Sequence, residues 1–423
     1  MNGGYEMRIT NQRFGREFWA LWMATALSNL GDGLFKFALP LLAAKLTNSP
    51  ALVASVSLAL TLPWLLFALP VGVIVDRLDR KRIMVVVNLI RTAAVGSLAF
   101  AQQLDWLSVF VLGFLAFLVG TCETVSDTTS GALVPSVVNR DQLEQANARI
   151  YSVETIMNKF IGGPLGGYLL AIGLLLPAVG SAVSFLAAAV ALLLMRGHFS
   201  VERKQSASIW REVSEGVRFL WTNQLLRTLA IMVAIMASCW SAFFSILVLY
   251  AVAPGPLGLQ EYQYGLLLTS LAAGSVAGSL LVSPLQRLFG RGALLGMDII
   301  GTFAMLFVPG VWANVWLVGA AMFLAGMGGT TWVVAVNSIR QRVVPNELLG
   351  RVYGAYRLIS WGTLPIGAFL AGIVAELAGL QVVFLGGAIL NLFLVFPLIS
   401  VFREEKRQTE QSGGSVSSPN LVP

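Results

Sequence analysis

Ionisable side chains lie within long apolar stretches of this sequence, where they could handle charge inside a membrane. Inserting such a group into a bilayer costs about 3 kcal/mol, so its presence there usually marks a function. A carboxylate that gains and loses a proton, with access to either side, would respond to a proton gradient. Asp32 is the first candidate for proton coupling and Glu123 the second, and a helix-packing ion pair is the alternative for both. The ionisable residues in apolar stretches are Asp32, Lys36, Arg91, Glu123, Asp127, Glu154, Lys159, Asp298 and Arg357.

Composition places these charges in a membrane protein. The 423 residues are 57% hydrophobic and only 12% charged, about half the charged share of a typical soluble protein. The net charge of +7 could indicate nucleic acid binding, but no basic amphipathic face or interleaved aromatic patch accompanies it. Nor is there a nucleophile elbow, a metal-ligand spacing or a phosphate-binding loop. We therefore expect no enzyme, no metal, no cofactor, no ATP-driven pump and no nucleic acid partner.

Twelve apolar runs are long enough to cross a bilayer. About 20 helical residues span the hydrocarbon core, and backbone groups in lipid must be hydrogen-bonded within their own segment. We therefore predict an all-α membrane protein with twelve transmembrane helices. The predicted spans are 18–44, 51–75, 83–103, 106–129, 148–171, 174–195, 226–252, 264–286, 292–309, 313–336, 350–373 and 380–402.

Lysine and arginine fall almost entirely on one side of the predicted spans. If the N-terminus is cytoplasmic, the outer loops carry only Lys45. Because basic residues concentrate in cytoplasmic loops, we expect both termini on the cytoplasmic side of the cell membrane. The predicted organisation is a cytoplasmic N-terminus at 1–17, a six-helix half at 18–195, a linker with an amphipathic helix at 196–225, a second six-helix half at 226–402 and a disordered tail at 403–423.

The second part of the sequence repeats the first at a displacement of 206 residues. Gly72 then aligns with Gly278, and the segment VVNRDQL at 137–143 aligns with VVPNELL at 343–349. Two parallel repeats of six spans are a known transporter construction. The repeat therefore predicts a central cavity between the two halves.

The repeat also relates two sets of charges. Arg91 and Glu154, in spans three and five, occupy positions roughly equivalent to Asp298 and Arg357 in spans nine and eleven, with the signs reversed. Opposite charges within a membrane usually pair with one another. We therefore expect two structural ion pairs, Arg91 with Glu154 and Asp298 with Arg357.

A cluster of charges follows the second predicted span, in the segment GVIVDRLDRKR. A glycine lets two helices approach closely, and an acid facing another helix's N-terminus is stabilised by the helix dipole. Such contacts could join the two halves, and a loop that is merely positive is the alternative. The segment resembles the signature loop of the major facilitator superfamily, although Asp79 stands where the family commonly has glycine. The resemblance implies a gating loop formed by Gly72, Asp76, Arg77, Arg80, Lys81 and Arg82.

Three further segments resemble the branch of this superfamily that contains macrolide and multidrug efflux proteins and siderophore exporters. They are LSNLGDGLFKFALPLL in span one, the segment 132–171 ending in GGPLGGYLLA, and RQRVVPNELLGRVYGAYRLISWGTLPIG at span eleven. GPLGG is similar to the exporter signature, with one residue where the family has two before the paired glycines. Such glycines thin a helix for packing and the proline allows bending, although glycines that only pack are the alternative. The implied exporter motif is Gly162, Gly163, Pro164, Gly166 and Gly167.

These patterns together predict a secondary active transporter. It would export amphipathic drugs or secondary metabolites, macrolide-like or multidrug, by proton antiport with alternating access. The expected partners are a small amphipathic substrate, protons and membrane lipids, and the protein is expected to be a monomer. The alternatives are a siderophore or lysolipid transporter of the same fold and a non-transporting membrane scaffold. Aromatic side chains suit large apolar cations, and those expected to line the cavity include Trp22, Phe35, Trp240 and Trp361.

Overall fold

The protein is almost entirely helical in the computed structural model. The structure describes residues 14–139, 142–173, 175–197, 199, 209–345 and 348–401. Most of the predicted N-terminal segment, part of the predicted linker and all of the predicted tail lie outside these residues. The α-helices are α1 (Arg16–Leu46), α2 (Pro50–Arg77), α3 (Arg80–Gln103), α4 (Val109–Val137), α5 (Leu143–Thr155), α6 (Gly163–Ile172), α7 (Leu176–Leu193), α8 (Ile209–Thr222), α9 (Gln224–Ala251), α10 (Glu261–Val311), α11 (Val315–Val343), α12 (Leu349–Gly362), α13 (Leu364–Ala378) and α14 (Leu380–Leu392).

Nine helical stretches of the described residues are long and apolar enough to cross a membrane. They coincide with the second, fourth and sixth to twelfth predicted spans, so the expected helical membrane architecture is confirmed. The first, third and fifth predicted spans coincide with α1, α3 and the region from α5 to α6. These three are the helices that carry Asp32, Arg91 and Glu154.

A single glycine separates two predicted spans within α10. The spans 264–286 and 292–309 form the two arms of this 51-residue helix, and the helical path is interrupted at Gly290, whose φ is 78°. Glycine adopts a positive φ without steric cost because it has no Cβ. The chain therefore turns between the two arms without a connecting loop.

Prolines divide two other predicted spans. Pro164 lies in the first turn of α6, directly after a π-helix at Ile156–Gly162. Pro365 lies in the first turn of α13, directly after α12. Proline donates no backbone hydrogen bond and clashes with the preceding turn, and π-helical turns are frequent at functional sites. The fifth and eleventh predicted spans are therefore both interrupted helices.

The hydrophobic core joins the two halves at one end of the bundle and is divided at the other. We call α1–α7 the first half and α9–α14 the second half. Where α1 ends and α2 begins, one buried cluster contains Leu42 of the first half and Leu247 and Ala371 of the second. Where α2 joins α3, separate clusters contain Leu21 in the first half and Leu229 in the second. Among the described residues, the core therefore closes the boundary between the halves at the α1–α2 end and is divided at the α2–α3 end, and we call these the closed end and the open end.

Matching helix crossings in the two halves depend on glycine. A Cβ on Gly120 of α4 would lie 2.0 Å from the carbonyl oxygen of Leu60 in α2. A Cβ on Gly326 of α11 would lie 2.0 Å from the carbonyl oxygen of Leu271 in α10. Small residues allow this close approach of helix backbones. Gly326 follows Gly120 by 206 positions, which is the displacement of the sequence repeat.

We expect Gly120→Ala to destabilise the folded protein by about 1–3 kcal/mol, because the added methyl group forces α2 and α4 apart. Gly113→Ala on the same helix is the matched control, since a Cβ there meets no atom within 4 Å. The measurement is thermal unfolding of the purified protein in detergent, with a lower midpoint expected for Gly120→Ala alone. Equal midpoints for the two variants would contradict the crossing geometry.

Candidate functional site

Charged side chains from α1, α4 and α12 meet between the halves. Lys36 Nζ of α1 donates to Glu123 Oε1 of α4 at 2.6 Å. Asp127 lies four residues after Glu123, on the same face of α4, and its Oδ2 is 3.8 Å from Arg357 Nη2 of α12. The side chains of Lys36, Asp127 and Arg357 are 35%, 28% and 34% exposed, so solvent reaches this group. We call Lys36, Glu123, Asp127 and Arg357 the central charge cluster.

Two indole rings lie against the guanidinium group of Arg357. The ring centroids of Trp64 in α2 and Trp361 in α12 are 4.4 Å apart. Arg357 Cζ lies 4.8 Å from the first centroid and 4.9 Å from the second. A cation over an aromatic face is attracted by the ring quadrupole. Since Trp64 belongs to the first half and Arg357 to the second, this contact joins the halves.

A second charged pair lies deep within the first half. Arg91 Nη1 of α3 is 3.4 Å from Asp32 Oδ2 of α1 and donates to Ser28 Oγ at 2.9 Å. The side chain of Arg91 is fully buried and that of Asp32 is 3% exposed. Arg91 Cζ also lies 4.9 Å from the ring centroid of Phe185. Removing one partner of such a pair leaves an uncompensated buried charge.

The expected partners of the two arginines were wrong. Arg91 pairs with Asp32 rather than with Glu154. Arg357 pairs with Asp127 of the other half rather than with Asp298 of its own half. The repeat relates equivalent positions along the chain, but the pairs form across helix crossings, and sequence position does not specify which helices cross there.

Glu154 of α5 adds a further carboxylate beside the central charge cluster. It lies close enough to Asp127 and Arg357 to interact with both electrostatically. Within the described part of the chain it makes no hydrogen bond or ion pair. The side chain of Lys159 lies outside the described residues. Among the described residues, no group of three or more His, Cys, Asp or Glu side chains is placed to hold a metal ion.

Asp298 belongs to a hydrogen-bond chain inside the second half. Thr302 Oγ1 donates to Asp298 Oδ1 at 3.4 Å, and Trp240 Nε1 donates to Thr302 Oγ1 at 2.9 Å. Asp298 is buried and Trp240 is partly buried. These two hydrogen bonds therefore hold the Trp240 indole of α9 against α10, with its N–H directed toward α10.

Two of the expected cavity aromatics pack elsewhere. Phe35 is 1% exposed and belongs to the core cluster at the closed end. Phe35 is therefore a core residue rather than a cavity residue. Adjacent residues point about 100° apart around a helix, so Phe35 faces away from the direction of Lys36. Trp22 packs beside the core of the first half at the α2–α3 end, where its ring centroid is 5.7 Å from that of Trp19.

The basic residues of the α2–α3 loop bind carbonyl groups of their own half. Arg80 Nη1 donates to Ala132 O of α4 at 2.7 Å, and Lys81 Nζ donates to Met195 O, just after α7, at 2.6 Å. Cations favour the carbonyl groups at helix C-termini. A Cβ on Gly72 would meet no atom within 4 Å. In this conformation these described contacts therefore hold the first half together and do not join it to the second.

Asp79 is a positioning residue that the sequence reasoning missed. Its Oδ1 accepts from the backbone N–H of Arg82 at 2.9 Å, and its Oδ2 accepts from the backbone N–H of Phe199 at 2.9 Å. Aspartate is among the preferred helix N-cap residues. An acid directly before the RKR segment therefore predicts that Asp79 caps the start of α3. The side chains of Asp76 and Arg77 lie outside the described residues.

The first part of the glycine motif packs against α1. A Cβ on Gly162 would lie 2.6 Å from the Cα of Gly33 in α1. A Cβ on Gly163 would meet no atom within 4 Å, and Pro164 follows it at the start of α6. Gly162 therefore allows the close crossing of α1 beside the π-helix, whereas Gly163 supports no such contact.

The second part of the motif lies between the halves at the closed end. A Cβ on Gly166 would lie 3.0 Å from the Phe37 ring of α1. A Cβ on Gly167 would lie 3.1 Å from the Cα of Gly265 in α10. The Phe37 ring also contacts Tyr264, with centroids 5.5 Å apart. Gly167 therefore packs α6 against α10 of the other half, whereas Gly166 packs α6 against α1 of its own half.

Polar contacts also join the halves at the α1–α2 end. Lys45 Nζ at the end of α1 is 2.5 Å from Glu261 Oε1 at the start of α10. Glu376 Oε2 of α13 accepts from Ser49 Oγ at 2.6 Å and from the backbone N–H of Ala51 at 3.2 Å. An acid at a helix N-terminus is favoured by the helix dipole. Glu376 therefore binds the first turn of α2 across the boundary between the halves.

Known proteins share the sequence and the fold of this chain. The family model for transmembrane secretion effectors matches residues 14–420. The chain is 26% identical to the multidrug efflux pump Tap of Mycolicibacterium fortuitum, over 95% of this chain and 99% of Tap. It is 23% identical to macrolide efflux protein A of Streptococcus pyogenes, over 92% of this chain and 97% of that protein. The inward-facing crystal structure of a bacterial homologue of the iron transporter ferroportin superposes with a TM-score of 0.72 at 17% identity, over 92% of this chain and 99% of that one.

The family match extends over nearly the whole chain and confirms the resemblance seen in the loop and glycine motifs. The structural match shows the same fold at low sequence identity. The protein is a multi-pass membrane transporter, and it belongs to the transmembrane secretion effector family of the major facilitator superfamily.

Proposed function

We propose that this protein exports amphipathic drugs or secondary metabolites by proton antiport with alternating access. The multidrug and macrolide efflux activities in the names of its relatives support a drug-like substrate. The observation that carries the mechanism is the 3.8 Å pair between Asp127 and Arg357, because it places a titratable group at the boundary between the halves. Proton uptake by Glu123, one turn away on α4, changes the charge balance around this pair and thereby the relative stability of two conformations of the halves.

The proposed architecture has twelve spans in two six-helix halves, 18–195 and 226–402, and a monomeric assembly. The matched glycine crossings at Gly120 and Gly326 support the repeat. α1, α3 and the region from α5 to α6 would supply the remaining three spans, which carry Asp32, Arg91 and Glu154. The basic residues of the α2–α3 loop support a cytoplasmic location for that end and for both termini in the cell membrane.

Glu123 and Asp32 are the proposed proton carriers, and the contacts favour Glu123. Glu123 binds Lys36 and lies one turn from Asp127, so its protonation changes the charge balance of the central charge cluster. Asp32 is 3% exposed and paired with Arg91, which limits its access to water. This order reverses the one expected from the sequence alone.

The open α2–α3 end would accept substrate from the cytoplasm in this mechanism. The Lys45–Glu261 pair and the contacts of Glu376 would then break as the halves rock and the other end closes. The gating loop would supply the closing contacts at the cytoplasmic end. Gly72 has room there for an approaching helix, because a Cβ on it would meet no atom in this conformation.

Transport in proteoliposomes tests the proposed function. Purified protein is reconstituted, a pH gradient is imposed, and uptake of labelled erythromycin and of ethidium is measured. We expect accumulation that a protonophore abolishes and that protein-free liposomes lack. Uptake of a labelled siderophore or lysolipid in place of the drugs would favour the alternative substrates. Absence of gradient-driven flux of every compound would favour a membrane scaffold.

We expect Asp32→Asn to destabilise the protein by about 3–5 kcal/mol, because Arg91 is left as an uncompensated buried charge. The Asp32→Asn/Arg91→Gln double variant should recover most of this loss. The measurement is thermal unfolding in detergent, combined with proteoliposome uptake by the double variant. A double variant as unstable as the single one would contradict the ion-pair role, and full uptake would exclude Asp32 as a proton carrier.

A further inference from the structure

The guanidinium group of Arg357 lies in surroundings that suit an organic cation. Trp64 and Trp361 present aromatic rings at 4.8 and 4.9 Å from Arg357 Cζ. Asp127 Oδ2 is 3.8 Å from Nη2, and Glu154 interacts from α5. Aromatic faces and nearby carboxylates are the groups that attract a desolvated cation. Three side chains, from α2, α4 and α12, therefore lie against one positive charge. Glu154 of α5 adds negative charge from beyond ion-pair distance.

Arg357 is held only loosely in these surroundings. Its distance to Asp127 is longer than a hydrogen bond. A guanidinium group has five N–H donors, yet within the described residues none of those of Arg357 makes a hydrogen bond. The side chain is 34% exposed. A competing cation could therefore take its place without breaking a hydrogen bond to a described residue.

The charge near this site favours an additional cation. Among the described side chains, Glu123, Asp127 and Glu154 supply three acids, whereas Lys36 and Arg357 supply two bases. When all are ionised, one negative charge is in excess. Glu154 is the acid that no described base neutralises through direct contact, and it interacts electrostatically with Arg357, the residue that lies against the aromatic pair.

We propose that Trp64, Asp127, Glu154 and Trp361 form a binding site for hydrophobic organic cations, which Arg357 occupies as an internal ligand until a substrate displaces it. This inference rests on the proposed function, because it names the substrate class of the exporter. Displacement of Arg357 also breaks a contact between the halves. Binding of a cation thereby loosens the boundary that must rearrange for export.

A purely structural role for Arg357 makes the opposite prediction. If Arg357 only ties α12 to α2 and α4, its removal disorganises Trp64 and Trp361 and weakens binding of any ligand there. If Arg357 is an internal competitor, its removal strengthens binding of a cation. The apparent dissociation constant rises as the fraction of free sites falls, so the two roles differ in the sign of the effect.

Binding of radiolabelled tetraphenylphosphonium to purified protein in nanodiscs tests the proposal. We expect Arg357→Gln to bind this cation about tenfold more tightly than the wild type, as for a site that is free about one-tenth of the time. Trp64→Ala in the Arg357→Gln background should lose about tenfold again. Arg149→Gln is the matched control, because Arg149 packs on the rings of Phe14 and Trp19 at 4.8 and 5.5 Å outside this site; its affinity should equal that of the wild type.

A second measurement uses the unaltered protein and covers the case in which Arg357→Gln fails to fold. Modification of Arg357 by phenylglyoxal, followed by mass spectrometry, should accelerate when tetraphenylphosphonium is present, because displacement exposes the guanidinium group. Slower or unchanged modification at a saturating concentration of the cation would overturn the proposal.

The outcomes separate this proposal from the proposed function. Equal or weaker cation binding by folded Arg357→Gln would overturn the internal-ligand proposal, and erythromycin export by the wild type would leave the exporter function standing. Tighter cation binding by Arg357→Gln without gradient-driven flux of any compound would support the site and contradict the exporter function.

Discussion

Oxidation of an Ala54→Cys/Gly372→Cys variant is expected to reduce transport by at least about tenfold, and a reductant is expected to restore it. A Cβ on Gly372 of α13 would lie 2.8 Å from the Cβ of Ala54 in α2, and a disulfide joins Cβ atoms about 3.8 Å apart. A small shift therefore suffices to form the bond. Because it locks the halves at the α1–α2 end, the cavity could open to one side only.

The experiment requires that the introduced cysteines are the reactive ones. The native Cys122 and Cys239 are both free and buried, and both are replaced by serine before the pair is introduced. Each single variant, Ala54→Cys and Gly372→Cys, is treated with the same oxidant as a control and should keep its transport rate. Unaltered uptake by protein shown by mass spectrometry to be fully crosslinked would contradict separation of the halves at this end.

Glu123→Gln is expected to lower gradient-driven uptake by about tenfold or more, equivalent to at least about 1.4 kcal/mol of activation free energy. Glutamine retains the shape of the side chain and an oxygen that accepts from Lys36, but it cannot take up a proton. Exchange of substrate across the membrane without a gradient should therefore continue. Both rates are measured in the same proteoliposome preparation.

Glu215→Gln is the matched control for the loss of a carboxylate. Glu215 of α8 pairs with Arg351 of α12 at 2.5 Å, outside the central charge cluster. Its substitution should leave the ratio of gradient-driven uptake to exchange unchanged. If Glu123→Gln lowered both rates equally, Glu123 would serve a structural or binding role, and full gradient-driven uptake would exclude it from proton coupling.

Hydropathy and helix periodicity were sufficient to locate most of the helices. The span predicted at 18–44 is α1 (Arg16–Leu46), and those at 264–286 and 292–309 are the two arms of α10. The length of an apolar run determines whether a helix can cross a bilayer, so a span can be predicted from its own stretch of sequence. The positive φ of Gly290 and the π-helix before Gly163 were not predicted, because both depend on how neighbouring segments pack.

The sequence identified the charged residues of the candidate site but not their partners. Glu123 and Asp127 are four residues apart, so their common face follows from the helix repeat. The partner of Lys36 is 87 residues away on α4, and no spacing rule connects these two helices. The contact of Arg357 with Asp127 depends in addition on how the halves meet in this conformation, which single-sequence patterns do not encode.

The charged contacts at the α1–α2 end have a consequence for control of the conformational balance. The Lys45 side chain is 45% exposed, whereas that of Arg91 is fully buried. Dissolved ions screen exposed charges beyond about 10 Å at 0.1 M ionic strength, and they weaken buried pairs much less. Exposed ion pairs are weakened by salt, so in the proposed orientation a saltier external medium would weaken the Lys45–Glu261 pair more than the buried Asp32–Arg91 pair. The external medium would then shift the balance toward opening at the α1–α2 end.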